Sequence, residues 1–349
     1  MQKRKALILK SPREMCFQEE TIKELEPNQV LIRSVLSAFK HGTEMEAYHG
    51  SSPFLKRSLD HEMRIFLDNT EDVSSILYPG TLGNMTVGTV EKIGSEVDSF
   101  AVGDTVFGWL PVADWHVSSA DKIFPLDGLT PEQALCIDPA NFAIGGVLDG
   151  EICFREKVLV TGLGAIGLLA VQYCKLHGAT VYASSSFPQR RELASKYGAD
   201  VVLNRKELKD LGLEVKQRTN GGVDAVIECS GRYIQLKHAM RAARQCGRVV
   251  CVGFYSGGAT DLNLGEEFFH NRLTLLASLP DAYWNNPVRG GETPRYAKEL
   301  HQFIIDDFKA GRLNIEGLLG PAYPFSQAME AVEAISENPV DVIKVTIKY

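Results

Sequence analysis

Basic residues are in the minority in this chain: 37 Lys and Arg stand against 44 Asp and Glu, a formal charge of −7. A surface of that sign does not hold nucleic-acid phosphates, so no nucleic-acid partner is expected. Apolar runs stop well short of the ~20 residues that a membrane helix needs, so no membrane partner is expected either. The opening "MQKRKALILKSP" has too short an apolar stretch and no small-residue cleavage site for a signal peptide, and reads as a first strand. Cysteine is sparse and unpatterned. Cys16, Cys136, Cys153, Cys174, Cys229, Cys246 and Cys251 make no C-x-x-C pair, which excludes a zinc ribbon and a thioredoxin-type site. An odd set without a framework points to a reducing, cytoplasmic compartment. Internal repeats and low-complexity segments are missing.

What is present is a chain of 349 residues, long enough for two domains that each bury a core. The first ~125 residues are β-rich: "QVLIRSVLSAF", "TVGTVEKIG" and "DTVFGW" are short β-branched runs broken by turn residues. A polar insertion, "SSPFLKRSLDHEMRIFLDNTEDVSSILYPG", interrupts them and is too long for a plain turn. From about residue 150 strands alternate with helices: "KVLVTG", "AIGLLAVQYCKLHG", "ATVYASS", "PQRRELASKYG", "DVVLN", "DAVIECSG", "RVVCVGF", "LTLLASL". That alternation means right-handed βαβ units and a parallel sheet. Beyond about 285 two helix-like runs precede a closing strand, "VIKVTIKY".

"VTGLGAIG" places Gly162, Gly164 and Gly167 in the G-x-G-x-x-G spacing, after a strand and at the head of a helix. Gly162 permits the tight turn, Gly164 lets backbone approach a pyrophosphate, and Gly167 lets helix and strand pack closely. The pyrophosphate is then expected on the helix N-terminus, over Ala165 and Ile166. Ser230 and Gly231, after a later strand, complete the expected cofactor set. An NAD enzyme has a carboxylate at the end of the second strand, for the ribose 2′-OH. Here "ASSSFPQRR" puts Ser184, Ser185 and Ser186 there, with Arg190 and Arg191 just beyond. Nothing in that stretch repels a 2′-phosphate, and the serine hydroxyls with Arg190 can bind one, so NADP(H) is expected, with Arg190 as its arginine. One of the two arginines is alternatively a solvated helix residue.

Taken together these residues resemble the medium-chain dehydrogenase/reductase superfamily. "GSEVDSFAVGDTVFG" at 94–108 is similar to its Gly-Asp-x-Val turn, and "HGTE" at 41–44 to its Cys-Gly-Thr-Asp. "KHGTE", "SPF", "LGNM" and "DPANFAIGGV" resemble the glycoside (D-guloside) 3-dehydrogenase branch, which interconverts a pyranoside C3 hydroxyl and a ketone. The resemblance implies an α/β fold: a GroES-like β-rich catalytic domain over 1–142, a Rossmann doubly wound parallel sheet over 143–285, and a return to the catalytic domain over 286–349. It also implies pairing through the edge strand "NRLTLLASL", as a homodimer or homotetramer, and a sugar-like small-molecule substrate.

Carried over by position, the family's catalytic zinc falls on His41, Asn84 and Asp138, with Met85 at its outer-sphere acid; the four-cysteine structural loop is missing. An amide is a poor zinc ligand, and this set argues against a tightly held metal; if one binds, His41 and Asp138 are its ligands. The His-Glu pair at His61 and Glu62 has no Gly-x-Val strand after it and reads as surface. Without zinc a side chain must move the hydroxyl proton. His41 is the expected carrier. Asp138 is expected to orient it, Thr43 to relay the proton, Lys40 to stabilise alkoxide charge and Asn84 to bond a substrate hydroxyl. Trp109, Trp115 and Trp284 offer faces to a sugar ring or are ordinary packing. The alternatives are a catalytically silent NADPH-binding protein and a zinc-dependent polyol dehydrogenase with a degenerate ligand set.

Overall fold

The computed structural model describes residues 2–69, 77–279, 293–338 and 342–349, with backbone alone over 293–299. Two compact units divide the chain: Met1–Leu135 with Leu318–Tyr349, and Cys136–Gly317. The boundaries therefore differ from those expected at 142 and 285. Two contacts account for the later one. Asn314 and Gln172 exchange backbone-to-amide hydrogen bonds of 2.7 and 2.8 Å, and Tyr197 donates to the Glu316 carbonyl at 3.1 Å. These tie the segment beyond helix Thr293–Lys309 to the second unit.

In the first unit the strand Gln29–Ala38 is the organiser. It pairs antiparallel with Met85–Ile93, with Trp115–Ser119 and with the closing strand Thr346–Lys348. Ala38 lies across from Met85 on one side and Thr346 on the other, so the residues after it emerge between two other strands. A smaller sheet joins Lys3–Ser11 to Glu14–Thr21 and Gly80–Thr81. Leu7, Leu9, Phe39, Leu82, Val112, Val332, Ile335 and Val345 fill one core. The polar insertion contains a hairpin, Arg57–Asp60 with Ile65–Asp68. His61 and Glu62 lie exposed in its turn, as expected of surface residues.

The second unit carries a six-stranded parallel sheet in the order Val201–Asn204, Thr180–Ser185, Lys157–Thr161, Val223–Glu228, Ala243–Cys251, Thr274–Ala277. Counted along the unit this is strand order 3-2-1-4-5-6, the doubly wound arrangement expected from the alternating pattern. Strands so buried are near-continuous apolar runs, as "KVLVT" is. The order reverses between Lys157–Thr161 and Val223–Glu228, and a crevice at the carboxyl ends of those two strands is where such sheets bind dinucleotides.

Candidate functional site

The glycine turn stands at that reversal. Gly162 has φ +77°, and a Cβ on it would come within 2.5 Å of the Ser230 backbone nitrogen, so only glycine is accommodated. A Cβ on Gly167 would meet the Gly162 carbonyl at 2.3 Å, which is the close helix–strand approach the motif predicts. Gly164 has nothing within 4 Å of its Cβ position: the backbone there borders open space. Helix Ala165–Leu176 begins directly after it with no side chain capping its first turn. Its leading N–H groups and dipole suit an anion. These residues fit a dinucleotide pyrophosphate.

At the end of the second strand Ser184 and Ser185 are buried and Ser186 half-buried. Ser185 Oγ accepts the Phe187 N–H at 3.1 Å, which leaves its hydroxyl proton to give. The two arginines differ. Arg190 lays its guanidinium over the Phe187 ring, 5.0 Å from the centroid, and burial pulls its pKa down. Arg191 donates from Nη1 to the Ser185 carbonyl at 3.0 Å and to Asn204 Oδ1 at 3.1 Å. The arginine fixed to the serine strand end is therefore Arg191, and neither is simply solvated.

In the first unit the strand register gathers a polar cluster. Lys40 precedes helix His41–His49, whose Thr43 is exposed. His41 Nε2 accepts the Val345 N–H at 3.1 Å, so the neutral ring carries its proton on Nδ1. Lys344 is buried and donates to the Phe39 carbonyl at 3.1 Å. Asn84 N–H bonds the Ala38 carbonyl at 3.1 Å, while both atoms of its side-chain amide are sealed from solvent without a partner. A buried polar atom left so costs about 1–3 kcal/mol. Glu44 is the residue the sequence reading missed. Its Oε1 accepts the Gly83 N–H at 3.1 Å, and its Oε2 is sealed and unpartnered although the residue as a whole is half-buried. Burial pushes this carboxyl up to about 8, against the Lys40 N–H and the Lys344 charge. Its signal in the sequence is the acidic fourth position of "HGTE".

Asp138 is buried in the first turn of helix Ile137–Asp149 and belongs to the second unit. Trp109 packs edge-on against Phe124, with centroids 5.8 Å apart, and Trp115 sits in the sheet; Trp284 lies outside the described residues. A zinc ion is implied by the family, and the donor set does not fit it. His41 Nε2 is engaged by a backbone N–H, Asn84 offers an amide, and Met85 is a fully buried thioether. Among the described residues no three His, Cys, Asp or Glu side chains gather as a metal site requires.

Residues 165–283 match the family model described as zinc-binding dehydrogenase. D-guloside 3-dehydrogenase of Escherichia coli (strain K12) is 32% identical over 99% of this chain and 100% of its own. The chain belongs to the medium-chain dehydrogenase/reductase superfamily. L-galactonate-5-dehydrogenase of Escherichia coli is 27% identical over 98% of each chain. The structure of 2R,3R-butanediol dehydrogenase from Bacillus subtilis has the same fold, with a TM-score of 0.78 over 99% of each chain at 20% identity. So has an NADP-bound structure from Sinorhizobium meliloti 1021, with a TM-score of 0.77 and 21% identity over 100% of each chain. Relatives in the superfamily are named as dehydrogenases of a guloside and of a galactonate, and dehydrogenases of this fold use nicotinamide cofactors. Among the described residues no helix is long and apolar enough to cross a membrane.

Proposed function

We propose that this chain moves a hydride between NADP(H) and a secondary hydroxyl or ketone of a sugar, glycoside or cyclitol, without a catalytic zinc. The observation that carries the cofactor choice is the second strand's end, where Ser185 and an arginine replace the carboxylate of an NAD site. The sugar-like substrate is supported by the similarity to D-guloside 3-dehydrogenase.

When bound, the nicotinamide takes or gives the hydride; the chain's own residues handle the hydroxyl proton. His41 is the proposed carrier, and it can take a proton on Nε2 only by giving up the Val345 bond. Asn84 is the proposed partner of a substrate hydroxyl: its amide has an unpartnered donor and acceptor, both sealed, so substrate binding has to uncover them. On this reading Lys40 stabilises alkoxide charge and the exposed Thr43 hydroxyl passes a proton outward.

The test is anaerobic incubation with NADP+ or NADPH and a panel of glycosides, polyols and their keto forms, followed at the nicotinamide absorbance, before and after chelation. Turnover that survives chelation is the expected result. Tight NADPH binding with no turnover on any substrate would instead mark a silent nucleotide-binding protein. Stoichiometric zinc, with activity lost on chelation and restored by metal, would make His41 and Asp138 ligands of a polyol dehydrogenase.

A further inference from the structure

Glu228 is a carboxyl group buried to 0% exposure in the sheet of the second unit. It closes the strand Val223–Glu228, across from Thr161, at the point where the strand order reverses. A side chain of this type is almost never fully buried unless its oxygens are satisfied. They are. Oε1 accepts the Ser230 N–H at 2.8 Å and the Ser230 hydroxyl, with the Thr161 hydroxyl at 3.5 Å. Oε2 accepts the Gly231 N–H at 3.1 Å and the Tyr255 hydroxyl. Burial first, and Glu228 second, hold the Tyr255 phenol well above its ordinary range, so it stays a donor.

Apart from the Thr161 hydroxyl, the donors belong to two loops, one after each of two neighbouring strands; the first loop lies against both the glycine turn and the second loop. The Cβ position of Gly162 lies 2.5 Å from the Ser230 nitrogen, that of Gly253 lies 2.1 Å from the Gly231 nitrogen, and that of Gly231 lies 2.2 Å from the Phe254 carbonyl. The glycine turn, the 229–232 loop and the 252–255 loop are therefore in backbone contact around one carboxyl group. Ser230 and Gly231, expected as cofactor ligands, spend both N–H groups and the hydroxyl inward on Glu228. What they offer a dinucleotide is a wall of fixed shape.

We propose that Glu228 and Tyr255 form a latch, a pair of positioning residues that holds the 229–232 loop against the Gly162 turn and so sets the shape of the dinucleotide cradle. The latch rests on the dinucleotide reading above but not on the choice of phosphate, because it sits at the first, fourth and fifth strands while Ser185 ends the second. It should act on NADPH and NADH alike.

The test is fluorescence titration of the full chain with NADPH and with NADH, for wild type, Glu228→Gln and Tyr255→Phe, beside thermal unfolding and initial rates. Glu228→Gln turns an amide N–H toward groups that are already donors, and should raise both dissociation constants about tenfold. Tyr255→Phe removes one donor and keeps the backbone bonds, and should raise both about threefold. The NADPH-to-NADH ratio should stay as in wild type, and KM for the dinucleotide should rise more than kcat falls. A purely structural role would lower the unfolding temperature without moving either dissociation constant. Constants within about twofold of wild type in the folded variants, or a rise with one dinucleotide only, would overturn the latch. Should Glu228→Gln not fold, Tyr255→Phe decides on the same criteria. A wild-type ratio in favour of NADH would refute the phosphate reading alone.

Discussion

His41 shows how a chemically versatile side chain is constrained by one backbone bond. The Val345 N–H on Nε2 fixes the neutral tautomer, so a substitution must be judged on two counts. His41→Ala leaves that N–H without an acceptor and removes the proton carrier together. His41→Gln can keep the acceptor near the Nε2 position but cannot carry a proton at neutral pH. Turnover of His41→Gln should fall by about 10²-fold or more with an unfolding temperature near wild type, since positioned acid–base groups contribute on that order. NADPH affinity should be unchanged, because the glycine turn belongs to the other unit. Activity of His41→Gln close to that of wild type would remove His41 from the mechanism. Glu44 makes a separate, thermodynamic prediction. Its carboxyl releases its proton near 4.5 in the unfolded chain and at about 8 in the folded one. Between those values the folded state binds more protons, so its contribution to stability falls as pH rises. Glu44→Gln should lose less unfolding temperature than wild type on going from pH about 5 to about 8. Parallel curves for the two proteins would show that Glu44 does not titrate there.

The strand–turn–helix around Gly162 was legible because each residue obeys a local rule. An apolar run makes the strand, a positive-φ glycine makes the turn, and helical periodicity makes Ala165–Leu176. The serine strand end was legible for the same reason, since it depends on counting residues beyond that turn. Which arginine reaches it was not. Arg190 and Arg191 are neighbours in sequence, and only the packing on Phe187 and Asn204 separates their roles. Glu228 carried a signal that went unread: an ionisable residue inside the apolar run "DAVIECSG" has to be satisfied by something nearby. The domain boundaries depend on contacts such as Gln172 with Asn314, which no local pattern encodes. From the strand end follows the test of cofactor choice. Ser185→Asp places a carboxylate where the 2′-phosphate is expected, and like charges at close range should shift kcat/KM toward NAD by at least about tenfold. Equal or better efficiency with NAD in the native protein would defeat the reading before the variant is made.

Assembly is where the sequence pattern and the structure meet on a single strand. "NRLTLLASL" resembles an edge strand, and Thr274–Ala277 ends the parallel sheet, paired on one side with Ala243–Cys251. An edge strand presents unpaired backbone groups on its other side, and chains of this kind usually blunt them with charge or proline. Between Thr274 and Leu279 there is neither. Leu275 is 38% exposed, so among the described residues the edge is apolar on its outer side. Covering such an edge with the same edge of a second copy, across a two-fold axis, satisfies both sets of groups at once. A homodimer, or a dimer of such dimers, is therefore predicted. Leu275→Lys puts a charge on each copy directly at that seam, where the two would face one another. Light scattering at micromolar concentration should report at least a dimer for the wild-type chain and a lower mass for Leu275→Lys. The variant should keep its NADPH affinity, since the glycine turn follows a strand three places away in the sheet. A wild-type monomer would end the proposal. An undiminished mass in Leu275→Lys would move the interface to another surface.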